Sequence, residues 1–313
     1  MNILIRPLLE RDLSAAERIF RLAFGTFLGL PDPLRFGGDT DSIRTRWMAD
    51  RNAALGAEMD GELVATNFVA NWGSLGLFGP LTVRPDLWDR GIAKLLLEAT
   101  MELFGSWGVT HSGLFTHAES PKHIGLYQKY GFWPRFLTAI MSLSVGQVRS
   151  LAQVTRYSEL ADNEAVEYAE ACRAVTDSIY SGLDLRREIF AVNAQKLGDT
   201  LLLWDGERVV GFAVCHCGAN TEAGSDTCYV KFAAVTSEPI GGSLFDALLD
   251  ACEAFAADSG MSRLVAGVNT ARNEAYRRML ARGFRTVHQG VAMQKPNEPA
   301  YNRAEAYVID DWR

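Results

Sequence analysis

Apolar residues recur along this chain with two periods, and the switches between them mark out the elements. Residues 3–6 read as a short strand. Leu13, Ala16, Ile19, Phe20, Ala23 and Phe24 then follow helical spacing, with Asp12 as the expected cap. Residues 25–41, rich in Gly, Pro and aromatics, read as a loop too hydrophobic for a linker, and 43–48 as a short helix. Alternation over 53–58 and 63–70 gives two strands joined at Asp60-Gly61, a hairpin signal. A strand over 77–83 follows, then a long helix at 91–107 stopped by Gly108, a short buried strand at 113–116, a helix at 120–130 and two strands within 132–143.

After a connector at 151–160 the order recurs. Helices are expected at 163–180 and 184–196, and strands at 201–204 and 209–217 around Asp205-Gly206. A strand at 228–235, a helix at 242–258, a strand at 263–268, a helix at 271–281 and strands within 284–293 complete the chain. Val83 matches Val235, Gly108 matches Gly260, Gly131 matches Gly283 and Phe132 matches Phe284, always 152 residues apart. One constant offset is the mark of a tandem duplication. The expected units are 1–146 and 147–313.

The composition fits this picture, with 48% hydrophobic and 22% charged residues. No apolar run reaches the roughly 20 residues of a membrane span, and residues 1–6 do not read as a signal peptide. The five cysteines all lie between Cys172 and Cys252, which suits free thiols in a cytoplasmic protein better than a disulfide framework. A net charge of −7 argues against nucleic acid as a partner. Residues 147–313 carry most of it, with 17 basic against 23 acidic residues; 1–146 carry 14 against 15. Cys215-His216-Cys217 with Cys228 invites a zinc reading, but strand alternation puts both thiols on one face and His216 on the other. No metal is expected.

The chemistry concentrates around Pro80-Leu81-Thr82-Val83-Arg84-Pro85, then Trp88-Asp89-Arg90-Gly91-Ile92-Ala93-Lys94. This is a strand end, a turn and a helix start. Small residues at 91 and 93 let a ligand approach the backbone, and the first amides of a helix carry partial positive charge. The stretch resembles the acyl-CoA signature of the GNAT N-acetyltransferases, Val-x-Pro followed by Gln/Arg-x-x-Gly-x-Gly/Ala. Val83, Pro85, Gly91 and Ala93 fit; Trp88 stands where the family prefers Gln or Arg. Downstream, Ser120-Pro121 opens a helix that ends in Leu126-Tyr127-Gln128-Lys129-Tyr130-Gly131-Phe132, similar to the family's Leu-Tyr-x-x-x-Gly-Phe motif.

The resemblance implies an α/β (α+β) fold, here two tandem GNAT-type domains, each a mixed, mainly antiparallel sheet flanked by helices. It implies an acetyl-CoA-dependent N-acetyltransferase that moves the acetyl group to a primary amine by direct attack. Acetyl-CoA would lie on Leu81, Thr82, Val83, residues 88–94, Ser120 and Tyr127. Tyr127 is the expected acid for the departing thiolate. Glu119 and His117 are alternatives for the base, with water or loop groups as a third; His123 reads as a capping or surface residue and His111 as a loop residue. In the second copy Ser243 replaces Gly91, Phe245 replaces Ala93 and Met279 replaces Tyr127, so that copy reads as non-catalytic, Phe245 intruding on the space for the phosphates. The acceptor is a small-molecule or peptide amine, and the protein a monomer or homodimer acting without a membrane. Two other readings stay open: a non-catalytic acyl-CoA sensor or interaction module, and a binding protein whose acidic half takes a cationic ligand.

Overall fold

The computed structural model describes residues 3–146, 152–236 and 241–313. The first half contains β1 (Ile3–Pro7), α1 (Leu13–Phe27), α2 (Ser42–Ala49), β2 (Ala54–Met59), β3 (Glu62–Trp72), β4 (Leu75–Phe78), β5 (Thr82–Val83), α3 (Ile92–Trp107), β6 (His111–Thr116), α4 (Pro121–Gln128) and β7 (Trp133–Ser144). The second contains β8 (Val154–Arg156), α5 (Asp162–Ile179), α6 (Arg186–Gln195), β9 (Gly198–Asp205), β10 (Arg208–Gly218), β11 (Gly224–Val235), α7 (Gly241–Asp258), β12 (Arg263–Asn269), α8 (Asn273–Arg282), β13 (Arg285–Lys295) and β14 (Val308–Ile309). The two halves share one sheet in the order β1-β2-β3-β4-β6-β13-β7-β12-β11-β10-β9-β8, with β5 on β3 and β14 on β11. Among the described residues only β4–β6 and β11–β12 pair in parallel.

The halves exchange their last long strands. β13 pairs with β6 from Val291↔Thr116 to Lys295↔Ser112, and β7 pairs with β12 from Thr138↔Asn269 to Ser144↔Arg263. The two strands expected within 132–143 are therefore one, as are those within 284–293. Neither run contains an Asn-Gly or Asp-Gly pair to turn the chain, and each finds its neighbours partly across the halves. A mixed core seals the join: Trp72, Leu75 and Leu77 of the first half pack with Ile189, Phe232 and Trp312 of the second. Burial of each such side chain contributes about 1.5–3 kcal/mol.

Asp12 does not cap α1 with its side chain. Its carboxylate accepts from Arg6 at 2.6 Å and from the Leu9 amide at 2.8 Å, tying β1 to the helix start. His111 is a buried strand residue, hydrogen-bonded to Gln294 at 3.0 Å, because β6 begins earlier than its apolar pattern suggests.

Two departures from regular pairing create the site. β4 and β6 match only at Leu75↔His111, Gly76↔Ser112 and Leu77↔Gly113, then splay. The single strand expected over 77–83 breaks at residues 79–81 and resumes as β5, where Thr82 and Val83 pair with Thr66 and Ala65 of β3. In the second half β11 leaves β12 after Val230, and there β14 enters, pairing Ile309 with Ala233 and Val308 with Ala234. Arg272, 1% exposed, locks this tail by pairing with Asp310 at 2.6 Å and donating to the Val308 carbonyl at 2.9 Å.

Candidate active site

Helix α3 starts from Gly91, which adopts φ 82°. A side chain there would be strained, yet a Cβ would meet nothing within 4 Å, so the space above the helix start is open. Ile92 turns into the core at 1% exposure, leaving the backbone of residues 89–94 as the outward face. Trp88 explains its departure from the family pattern: its indole N–H donates to the Val83 carbonyl at 2.8 Å and staples the preceding turn. Lys122 at the start of α4 pairs with Asp89 at 2.7 Å and lies 5.5 Å from the Trp88 ring centroid. The Tyr130 hydroxyl donates to the Lys94 carbonyl at 3.0 Å. The turn and the two helix ends are thus joined around an open helix N-terminus, an arrangement suited to an anion. Arg90 is exposed beside it, Ala93 is half-buried, and the Ser120 hydroxyl caps α4 by accepting from the His123 amide at 3.4 Å.

From the splay a cavity of about 530 Å³ runs between the halves. Leu81 and Tyr127 line its first-half end; Thr82 instead bonds Thr66 through its hydroxyl at 2.8 Å. Tyr127 is 7% exposed and stands edge-on to Phe78, and burial raises its phenol above the usual value of 10. Phe20, Phe24 and Phe36 form an aromatic wall, the last two stacked with centroids 5.1 Å apart. Phe20 and Phe24 come from α1, which extends through Phe27, and Phe36 brings the apolar stretch at 25–41 onto the same cavity.

Histidines gather on the same wall. His117 and His123 flank Phe27 at centroid distances of 4.8 and 4.9 Å, and His288 lies 5.5 Å from His117. Burial lowers the pKa of His117 and of His123 below the usual 6.5, so both are neutral near pH 7. Glu119 approaches His117 Nδ1 to 3.5 Å, but its carboxylate is 67% exposed and does not line the cavity. His288 reaches the first-half site only because β13 is exchanged, and no local motif marks it.

Arg46 is the other residue that motif reading misses. Its guanidinium donates to the Gly79 carbonyl at 2.6 Å, directly before the break in the strand. It also pairs with Glu222 at 2.7 Å and donates to the Arg313 carbonyl at 2.6 Å. Lys231 holds Glu222 from the other side at 2.7 Å and Glu188 at 3.1 Å, and Trp72 donates to Glu188 at 2.9 Å. Burial alone would raise the Glu222 pKa, but Arg46 and Lys231 together outweigh it and hold the carboxylate well below its usual range. A buried ionic chain thus links the second half to the β4–β5 break.

The corresponding place in the second half is filled. Helix α7 begins at Gly241, so Ser243, the counterpart of Gly91, lies inside the helix. A Cβ on Gly241 would stand 3.0 Å from the Tyr307 ring, and one on Gly242 would run into the Arg278 guanidinium. Phe245 does not intrude on this space; it is fully buried in the core, 5.6 Å from Tyr307. The splay beside it holds β14 and the following residues, with Asp311 against Gly267.

A family model described as the acetyltransferase (GNAT) family matches residues 18–132. No curated protein matches the chain. Among solved structures, an acetyltransferase described as putative from Pyrococcus horikoshii aligns over 99% of this chain and 95% of its own, at TM-score 0.69 and 14% identity. A GCN5-related N-acetyltransferase from Sphaerobacter thermophilus aligns over 94% and 95%, at 0.57 and 16%. A tandem GNAT protein from the clavulanic acid biosynthesis pathway aligns over 94% and 98%, at 0.55 and 12%. These likenesses are of fold. The family match thus lies within the first half, and the fold of the whole chain is that of GNAT acetyltransferases built from two such units.

Proposed function

We propose that the first half, residues 1–146, binds acetyl-CoA and passes its acetyl group to a primary amine by direct attack, and that residues 147–313 form a non-catalytic domain that completes the acceptor cavity. One contrast carries this reading: the helix start at Gly91 is open and the splay beside it leads to Tyr127, whereas the helix start at Gly241 is covered by Tyr307 and its splay is filled.

The residues present fit the acyl donor. The backbone of residues 89–94 suits a pyrophosphate, since a Cβ at Gly91 would project into open space and the helix dipole favours negative charge. Leu81 to Val83 offers backbone N–H groups near the splay as donors for a carbonyl oxygen that gains charge. Bound acetyl-CoA supplies a thioester, whose C–S bond breaks as the new C–N bond forms. Tyr127, kept protonated by burial, is placed to give its proton to the departing sulfur. His117, neutral and lining the cavity, is the favoured acceptor for the proton that the amine loses; the exposed Glu119 carboxylate lies 3.5 Å from its Nδ1. Arg46 positions the strand break through Gly79.

The test is CoA release by the purified chain from acetyl-CoA across a panel of primary amines. Release that needs an amine supports transfer. Calorimetric binding of acetyl-CoA with no release for any amine would favour a sensor instead.

A further inference from the structure

The far end of the cavity is lined mainly by the second half and carries three arginines, two of them already paired with carboxylates. Among the described residues Glu222 is the only carboxylate residue on the cavity lining, against Arg46, Arg263 and Arg313. Glu222 is already taken by Arg46 and Lys231, both at 2.7 Å. Arg313 is held by Asp311 at 2.9 Å and lies 4.6 Å from the Tyr229 ring centroid. Arg263 is different. Its guanidinium donates to the Thr227 hydroxyl at 3.0 Å and, among the described residues, pairs with no carboxylate. It is solvent-accessible, so it is hydrated and free to turn toward a ligand. A second positive charge on an acceptor would meet Arg263, the one of these three arginines that pairs with no carboxylate among the described residues.

Resting on the acetyltransferase reading above, we propose that the acceptor is an amine with an apolar or aromatic body and an anionic group. The body lies along Phe20, Phe24 and Phe36, and Arg263 of the second half binds the anion. The non-catalytic half thereby sets specificity: it reads the end of the acceptor remote from the reacting nitrogen. A guanidinium favours a carboxylate because it can donate two parallel hydrogen bonds.

The experiment compares kcat/KM for carboxylate amines and their neutral carboxamides. The pairs are 4-(aminomethyl)benzoate, 4-(2-aminoethyl)benzoate and phenylalanine, each with its amide. The expected result is a preference of about tenfold or more for the carboxylate in at least one pair, a typical worth for one charge-assisted contact. Arg263→Gln should collapse that ratio toward one, mainly through KM, and Arg263→Lys should retain part of it. Equal or better turnover of every carboxamide, or a carboxylate preference that survives Arg263→Gln, overturns the assignment and leaves the acetyltransferase reading standing. No release from either member of any pair, nor from other primary amines, overturns the reading beneath it as well.

Discussion

Replacing Glu222 with Gln isolates what the second half does for the first. The carboxylate is 4% exposed and sits 2.7 Å from both Arg46 and Lys231. With Glu188 these groups form a buried quartet of two cations and two carboxylates, so the wild-type charges cancel. Glu222→Gln leaves one buried positive charge unmatched, at a cost of about 3–5 kcal/mol. For a chain of this size that is a fall in Tm of roughly 6–15 °C. Removing Arg46 as well restores the balance, since Lys231 keeps Glu188. The double variant Arg46→Met/Glu222→Gln should therefore be more stable than the sum of the single effects by about 2–3 kcal/mol. The catalytic consequence runs through Gly79, whose carbonyl Arg46 holds at 2.6 Å. A guanidinium that follows its lost partner lets the strand break shift, and a misplacement of about 1 Å lowers kcat by as much as about 100-fold. Thermal unfolding and steady-state CoA release on wild type, both single variants, the double and Glu222→Asp measure both effects. Additive stabilities, or a Glu222→Gln protein with wild-type kcat, would refute the reasoning.

Tyr127→Phe removes the proposed acid without opening a cavity; kcat should fall about 100-fold or more with acetyl-CoA affinity nearly unchanged, and wild-type kcat would remove Tyr127 from the mechanism. His216 is 1% exposed, and among the described residues neither ring nitrogen has a hydrogen-bond partner. Burial brings its pKa from 6.5 down to about 4. The unfolded chain takes up this proton near pH 6.5 and the folded chain only near 4, so stability is lost as pH falls through that window, by about 3 kcal/mol at most. His216→Phe should flatten the curve between those pH values in urea titrations; an unchanged slope would assign the acid limb to other groups. Trp312 packs over Gly113 and donates to the Tyr301 hydroxyl at 2.8 Å while lining the acceptor cavity. Trp312→Ala should cost about 3–5 kcal/mol of stability and raise the acceptor KM, read by unfolding and by initial rates. An unaltered KM would mean that this wall does not touch the acceptor.

The local parts of this site were legible in the residue pattern. Gly91 and Ala93 mark a turn that must stay small, and Tyr127 to Phe132 mark a helix end, because those demands act on neighbours in the chain. The constant offset between Gly108 and Gly260 and between Gly131 and Gly283 locates four glycines at positive φ, in matched places. What stayed hidden depends on contacts between distant residues. Arg46 and Glu222 are 176 residues apart, and each alone is an ordinary surface-type residue. The strand exchange was invisible because β7 and β13 carry the same apolar alternation whichever partner they choose. His288 and Arg263 join the site as a result. Phe245 was read as an obstruction because it replaces Ala93. The helix that carries it starts at Gly241 and turns that side chain inward, and Tyr307 is the residue that covers the helix start.

A crystal structure of the chain soaked with acetyl-CoA tests most directly that one half of the pair is the working one. The expected density is a pyrophosphate at residues 89–94 and a thioester near Tyr127 in the splay between β4 and β6, with Tyr307 still seated on Gly241. Density for the nucleotide at the start of α7, with Tyr307 displaced, would contradict it.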